Sequence, residues 1–185
     1  MRVFVDLDQD QLSAKKTFQA VTGVSRLRKI GFGADVTNIW QGLFARFAVS
    51  NKSLTATRVD VSDDGQVFDH HIPGTIALRP LELAVGWRVR LAGDHILPYG
   101  GAGLVFLKYS ETWPSGGESD QVAETFKGYT LIGGLDLAVV PHVTVGVEAQ
   151  YRTVPNAIGA GGVSKVFGET NLGGFTLRLR VGAGW

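Results

Sequence analysis

The side chains with the greatest chemical potential are two tandem histidines, His70 and His71, with Asp63, Asp64 and Asp69 close by in sequence. Imidazole beside carboxylate can move a proton or hold a metal near neutral pH. No serine stands at a spacing that would complete a nucleophile, base and acid set, and the stretch is polar, so the group reads as solvated loop. Cysteine is absent, which removes thiol catalysis, disulfide frameworks and Cys-ligated zinc. Gly100-Gly101-Ala102-Gly103 has no helix start behind it and is not a phosphate loop. A net charge of +1 argues against a nucleic-acid partner held by bulk charge. No catalytic residue, metal or cofactor is expected.

A second set of charges is larger and more regular. Asp35, Arg46, Glu82, Arg88, Arg90, Asp136, Glu148, Arg152, Arg178 and Arg180 each fall on the polar parity of a segment whose other parity is apolar. Arginine dominates over lysine, and its planar fork suits packed bidentate ion pairs. With Asp6, Asp8 and Lys108 added, the two signs nearly balance. The chemistry expected of such a set is mutual neutralisation in a confined space, a structural network. A conducting pore with a charged constriction is the alternative.

The elements that position these charges are strands. Alternation of period two recurs along the chain, and helical periodicity is nearly absent. In 175–185, Phe175, Leu177, Leu179, Val181, Ala183 and Trp185 oppose Thr176, Arg178, Arg180, Gly182 and Gly184. Residues 142–152, 129–139, 81–91, 43–50 and 30–37 repeat the pattern. The first strand, about 2–10, is weaker, and 98–110 is ambiguous because both of its faces are fairly apolar. Short connections at 38–41, 93–96 and 140–142 alternate with long ones at about 11–28, 54–74, 111–126 and 154–171. That order predicts an all-β, eight-stranded antiparallel up-and-down barrel, in one domain spanning 1–185, with both termini at the tight-turn end. Pro80 interrupts 75–91, which we read as one strand with a bulge or edge-like irregularity there.

Alternation alone does not say which face is inside. Apolar residues are 44% of the chain and mean hydropathy is only slightly positive. No stretch approaches the roughly 18 apolar residues of a transmembrane helix, but a membrane barrel needs none. Charge is nearly absent from the apolar parity, and many of the 25 glycines stand on the polar parity, leaving room for long side chains in a narrow lumen. Aromatics fall near strand ends: Trp40, Trp87, Tyr99 and Trp185 at one rim, Tyr109, Tyr129 and Tyr151 at the other. Such residues collect at membrane interfaces. Tyr99 and Tyr109 share a parity, and their separation along a tilted strand gives about 25 Å, the height of an apolar band. These features favour a transmembrane barrel over a soluble one.

The ending Phe175-Thr-Leu-Arg-Leu-Arg-Val-Gly-Ala-Gly-Trp185 resembles the C-terminal signal of outer-membrane barrels. Leu97-Pro-Tyr-Gly-Gly-Ala-Gly-Leu-Val105, Gly128-Tyr-Thr-Leu-Ile-Gly-Gly-Leu-Asp136 and Gly146-Val-Glu-Ala-Gln-Tyr151 are similar to strands of the OmpA/OmpX/OmpW-like superfamily, which includes opacity-type barrel domains. The resemblance spans roughly 30–185. It implies a monomeric barrel in the bacterial outer membrane, surrounded by lipopolysaccharide and phospholipid, whose last strand, ending at Trp185, is read by the barrel-assembly machinery. Export to that membrane implies a cleaved leader. The expected role is structural or loop-mediated and non-enzymatic. Transport of small or apolar solutes, lipid modification at the outer rim, and a soluble ligand-binding barrel are the rivals.

Overall fold

A computed structural model describes residues 1–62, 65–115 and 118–184. The strands are β1 (Arg2–Leu12), β2 (Arg26–Val36), β3 (Leu43–Val61), β4 (Val67–Arg88), β5 (Ile96–Ser115), β6 (Glu118–Val140), β7 (Val143–Thr153) and β8 (Gly174–Gly184). Two short helices, α1 (Lys15–Thr22) and α2 (Gly162–Val166), lie in the first and last long connections. The eight strands form a closed barrel in chain order, and antiparallel pairing of β1 with β8 completes it. Closure leaves the lower barrel without a free edge.

Sequence alternation becomes inside-out alternation. Along β1, Arg2, Phe4, Asp6, Asp8 and Asp10 are buried while Val3, Val5 and Leu7 are exposed. In β8, Thr176, Arg178 and Arg180 are buried while Leu177, Leu179 and Val181 are exposed. A slip of one residue would invert every side chain, so the single continuous β1–β8 register from Arg2↔Gly184 to Leu12↔Gly174 fixes the polarity. The outward band is largely apolar and mostly aliphatic, with Val85, Leu131 and Leu179 each more than 60% exposed. Water does not tolerate a belt of that extent on a monomer, and lipid does. β1, β2, β7 and β8 have 11 residues each, which at a tilt near 40° gives roughly 25 Å of height.

Three expectations about elements are corrected. Two of the four long connections, 54–74 and 111–126, are largely strand: β3–β4 and β5–β6 continue as tall hairpins beyond the barrel wall. β2 pairs with β3 only as far as Asn51, and β6 meets β7 only from Tyr129 onward. Polar residues such as Thr55, Thr57 and Thr75 fill these extensions, so they carry little apolar alternation. Pro80 causes no bulge, because the β3–β4 register is the same on both sides of it, and the irregularity falls at Thr57/Val59. His70 and His71 stand on β4, exposed, with His70 Nε2 2.7 Å from an Asp60 oxygen. Asp63 and Asp64 lie outside the described residues.

α1 is held at the mouth by a carboxylate from a distant loop. Its N-cap is Ala14, which offers no side-chain acceptor. The Lys16 and Thr17 amides instead donate to Glu169, at 3.0 and 2.8 Å, satisfying first-turn donors and complementing the helix dipole. Glu169→Ala is expected to loosen α1 by about 1 kcal/mol. Faster hydrogen exchange at Lys16 and Thr17, with the strand amides still protected, is the measurement; unchanged exchange would mean the cap contributes nothing.

Candidate functional site

The inward charges form one network. Among the described residues the buried cations are Arg2, Lys29, Arg46, Arg88, Arg152, Arg178 and Arg180, and the buried anions are Asp6, Asp8, Asp10, Asp35, Glu82, Asp136 and Glu148, equal in number. At the tight-turn end Arg2 bridges Asp35 at 2.8 Å and Asp136 at 2.5 Å, and Arg88 reaches Asp35 at 3.1 Å. One level up, Arg46 binds Asp35 at 2.7 Å and also Glu148. Glu148 further accepts Arg178 at 3.0 Å, Arg180 at 3.2 Å and the Tyr99 hydroxyl at 2.8 Å. Above it Arg178 reaches Glu82 at 3.0 Å, Arg152 reaches Glu82 at 3.1 Å, and Lys29 meets Asp10 at 2.5 Å. A buried charge is tolerable when paired and hydrogen-bonded, and alternate strand positions around a narrow barrel bring the partners together.

Aromatic rings complete this layer. The Arg180 guanidinium lies 4.0 Å from the Phe4 centroid, and Arg46 lies between 5.1 and 5.4 Å from Phe4, Phe44 and Tyr99. The stacked rings shield the guanidinium faces while their edges bind carboxylates. Lumen glycines make room for rings as much as for charges: a Cβ on Gly33 would approach Phe4 to 2.3 Å, and one on Gly134 would approach Tyr99 to 2.5 Å.

Asp35, Arg46, Glu82, Arg88, Asp136, Glu148, Arg152, Arg178 and Arg180 thus all lie in the lumen network. Arg90 does not: β4 ends at Arg88, and Arg90 sits exposed in the following turn, 3.3 Å from Asp94. Lys108 is exposed on the outer face of β5. Tyr99 and Tyr109 share a parity, but it is the inner one, so neither is an interface aromatic and their separation measures no apolar band. Tyr99 is buried in the network, and Tyr109 packs at the inner mouth. Trp40 and Trp87 do face outward, 5.8 Å apart edge-to-face near the tight turns, and Tyr129 and Tyr151 face outward toward the other end. Trp185 lies outside the described residues. Sequence reading missed Arg2, Lys29 and Asp10, because it started strand two at residue 30 and left the first strand weakly defined; continuing the parity would have found them.

The network fills only part of the lumen. Above Lys29, Gln150 and Thr176 the inward residues turn apolar: Leu12, Leu27, Leu54, Ile76, Leu78, Val105, Leu107, Val154 and Leu172 form one cluster. Ala14 and Phe18, at the start and on the inner face of α1, join it from above. The interior is therefore a charged lower section beneath an apolar cup.

No protein-family model matches the chain, and no curated protein matches it. Solved structures do. Neisserial surface protein A superposes with a TM-score of 0.62 at 13% identity, covering 100% of this chain and 96% of that one. The outer membrane protein OprG of Pseudomonas aeruginosa gives 0.63 at 11% identity, covering 98% and 93%. Ail, the attachment invasion locus protein of Yersinia pestis, in complex with the heparin analogue sucrose octasulfate, gives 0.52 at 12% identity, covering 98% and 96%. With its aliphatic outer belt and charge-filled interior, the chain has the OmpA/OmpX-like fold of the small outer-membrane proteins, an eight-stranded transmembrane β-barrel.

Proposed function

We propose that this chain is a monomeric, non-enzymatic protein of the bacterial outer membrane, with a lumen closed by paired charge, that works through its outer face. The observation that carries this reading is the equal count of buried cations and anions among the described residues, each held by an oppositely charged partner on a neighbouring strand or across the lumen rather than lining a free channel. An ion entering must displace a bonded partner, which leaves a charge buried and unpaired. The tight turns face the periplasm and the tall β3–β4 and β5–β6 hairpins project outward, where loop function concentrates. Ail, solved with a heparin analogue, supports binding by a barrel of this shape. Outer-membrane lipid covers the aliphatic belt, and the assembly machinery reads the last strand, ending at Trp185.

A second reading, uptake of small apolar compounds, draws on the apolar cup. The charged section below it disfavours through-passage, since an apolar solute offers the network nothing in exchange. Planar bilayers discriminate. The folded chain, identified by heat-modifiable gel migration, is expected to show no large or stable conductance. Steady, ion-selective current would overturn the closed-lumen reading and favour transport.

A further inference from the structure

Charges inside the lumen have charged partners; Glu111, at the mouth, has none among the described residues. It stands on β5 between Tyr109 and Trp113, and the three side chains share the inward face by strand alternation. The Tyr109 hydroxyl donates to one carboxylate oxygen, and Trp113 Nε1 donates to the other at 3.0 Å. Among the described residues no lysine, arginine or histidine pairs with it. Two neutral donors satisfy lone pairs but do not cancel a charge, and this carboxylate is half-buried above an apolar cluster.

The surroundings are shaped as a pocket. About 600 Å³ of space opens outward here, walled by Phe18 and Val21 of α1, Ile76 of β4, Val122 of β6 and Ile158, with Tyr109, Glu111 and Trp113 along one side. The Trp113 indole lies against Gly74 of β4 so closely that a Cβ there would come within 2.3 Å of the ring. Glycine at that position lets the ring lie flat and keeps it beside the carboxylate. The Thr17 hydroxyl, without a hydrogen-bond partner among the described residues, also lines the space. Arg58 also borders the space, but its side chain is exposed to water.

We propose that this pocket binds an organic cation with an apolar body, a substituted ammonium. Its charge sits at Glu111 beside the Tyr109 and Trp113 rings, and its body rests on Phe18, Ile76 and Ile158. The cation supplies the countercharge that Glu111 lacks, and the ring faces attract the same cation and repel an anion. A neutral ligand of the same shape would gain the apolar contacts and leave Glu111 uncompensated.

The test is calorimetric titration of the full chain, folded in non-ionic detergent, with benzyltrimethylammonium, and with benzenesulfonate and benzyl alcohol as the anionic and neutral comparisons. Saturable binding of the cation is expected, weakened about tenfold or more in Glu111→Gln, with no saturable binding of the sulfonate. Gly74→Val, which evicts the indole, is the second variant and is expected to weaken the cation similarly even if Glu111→Gln does not fold; gel migration reports folding of each. Absence of saturable binding to the parent at millimolar cation, equal affinity in parent and variants, or preference for the sulfonate or the alcohol would overturn the proposal.

Discussion

Glu148→Ala is expected to destabilise the folded barrel by about 3 kcal/mol, the lower end of the range for removing one partner of a buried ion network. Glu148 joins more of the lumen than any neighbouring acid: Arg46, Arg178 at 3.0 Å, Arg180 at 3.2 Å and the Tyr99 hydroxyl at 2.8 Å all converge on it. Each arginine keeps a second acid, Asp35 for Arg46, Glu82 for Arg178 and Asp6 for Arg180. That redundancy is why the lower end applies. What is lost is the neutrality of the network at this level, where three guanidiniums would face one another around a vacated carboxylate. Urea unfolding in phospholipid vesicles measures the cost. In planar bilayers the variant is expected to add small, flickering current events that the parent lacks. A cost below about 1 kcal/mol, typical of a solvated surface pair, together with unchanged bilayers, would mean that water already screens the site and the lumen is not closed. Glu148→Gln, which keeps the shape and one acceptor oxygen, is expected to fall between parent and alanine.

How far the sequence could be read depended on chemical contrast between the two faces of each strand. β7 and β8 are legible because polar residues or glycine alternate with apolar ones without exception from Gly146 to Arg152 and from Phe175 to Val181. β5 is not, for a physical reason: its lower inward positions are Gly101 and Gly103 and its upper ones are Val105 and Leu107, so the inside is as apolar as the outside. Tyrosine at both ends then resembles an interface girdle, although Tyr99 binds Glu148 and Tyr109 binds Glu111 inside. The apolar cup was hidden by the same equality. The tall hairpins were hidden differently. Outside lipid a strand needs only its ladder hydrogen bonds, and residues such as Thr55, Thr57 and Thr75 can form them without presenting an apolar face. α1 was missed because its cap, Glu169, comes from the loop before β8 and leaves no start signal in the local sequence.

Leu179→Arg separates a membrane belt from a soluble surface. Leu179 is the central residue of β8, Gly174–Gly184, and lies on the outer face with 62% of its surface exposed, flanked by Leu7 on β1 and Val147 on β7. On a water-facing strand an exposed leucine exchanged for arginine shifts stability by less than about 0.5 kcal/mol. At the bilayer midplane the same exchange costs roughly 2–4 kcal/mol, falling to about 0–1 near the interfaces. The expected result is therefore a loss of about 3 kcal/mol for Leu179→Arg in vesicles, and a loss below about 1 kcal/mol for Tyr151→Arg, nearer the outer rim. The depth dependence matters as much as the size, because strain in the strand would not change from large to small along the barrel axis. Equal costs at the two positions would place the outer face in a uniform medium. A cost near zero at both would mean that the aliphatic belt is not at membrane depth, and the transmembrane assignment would fall with it.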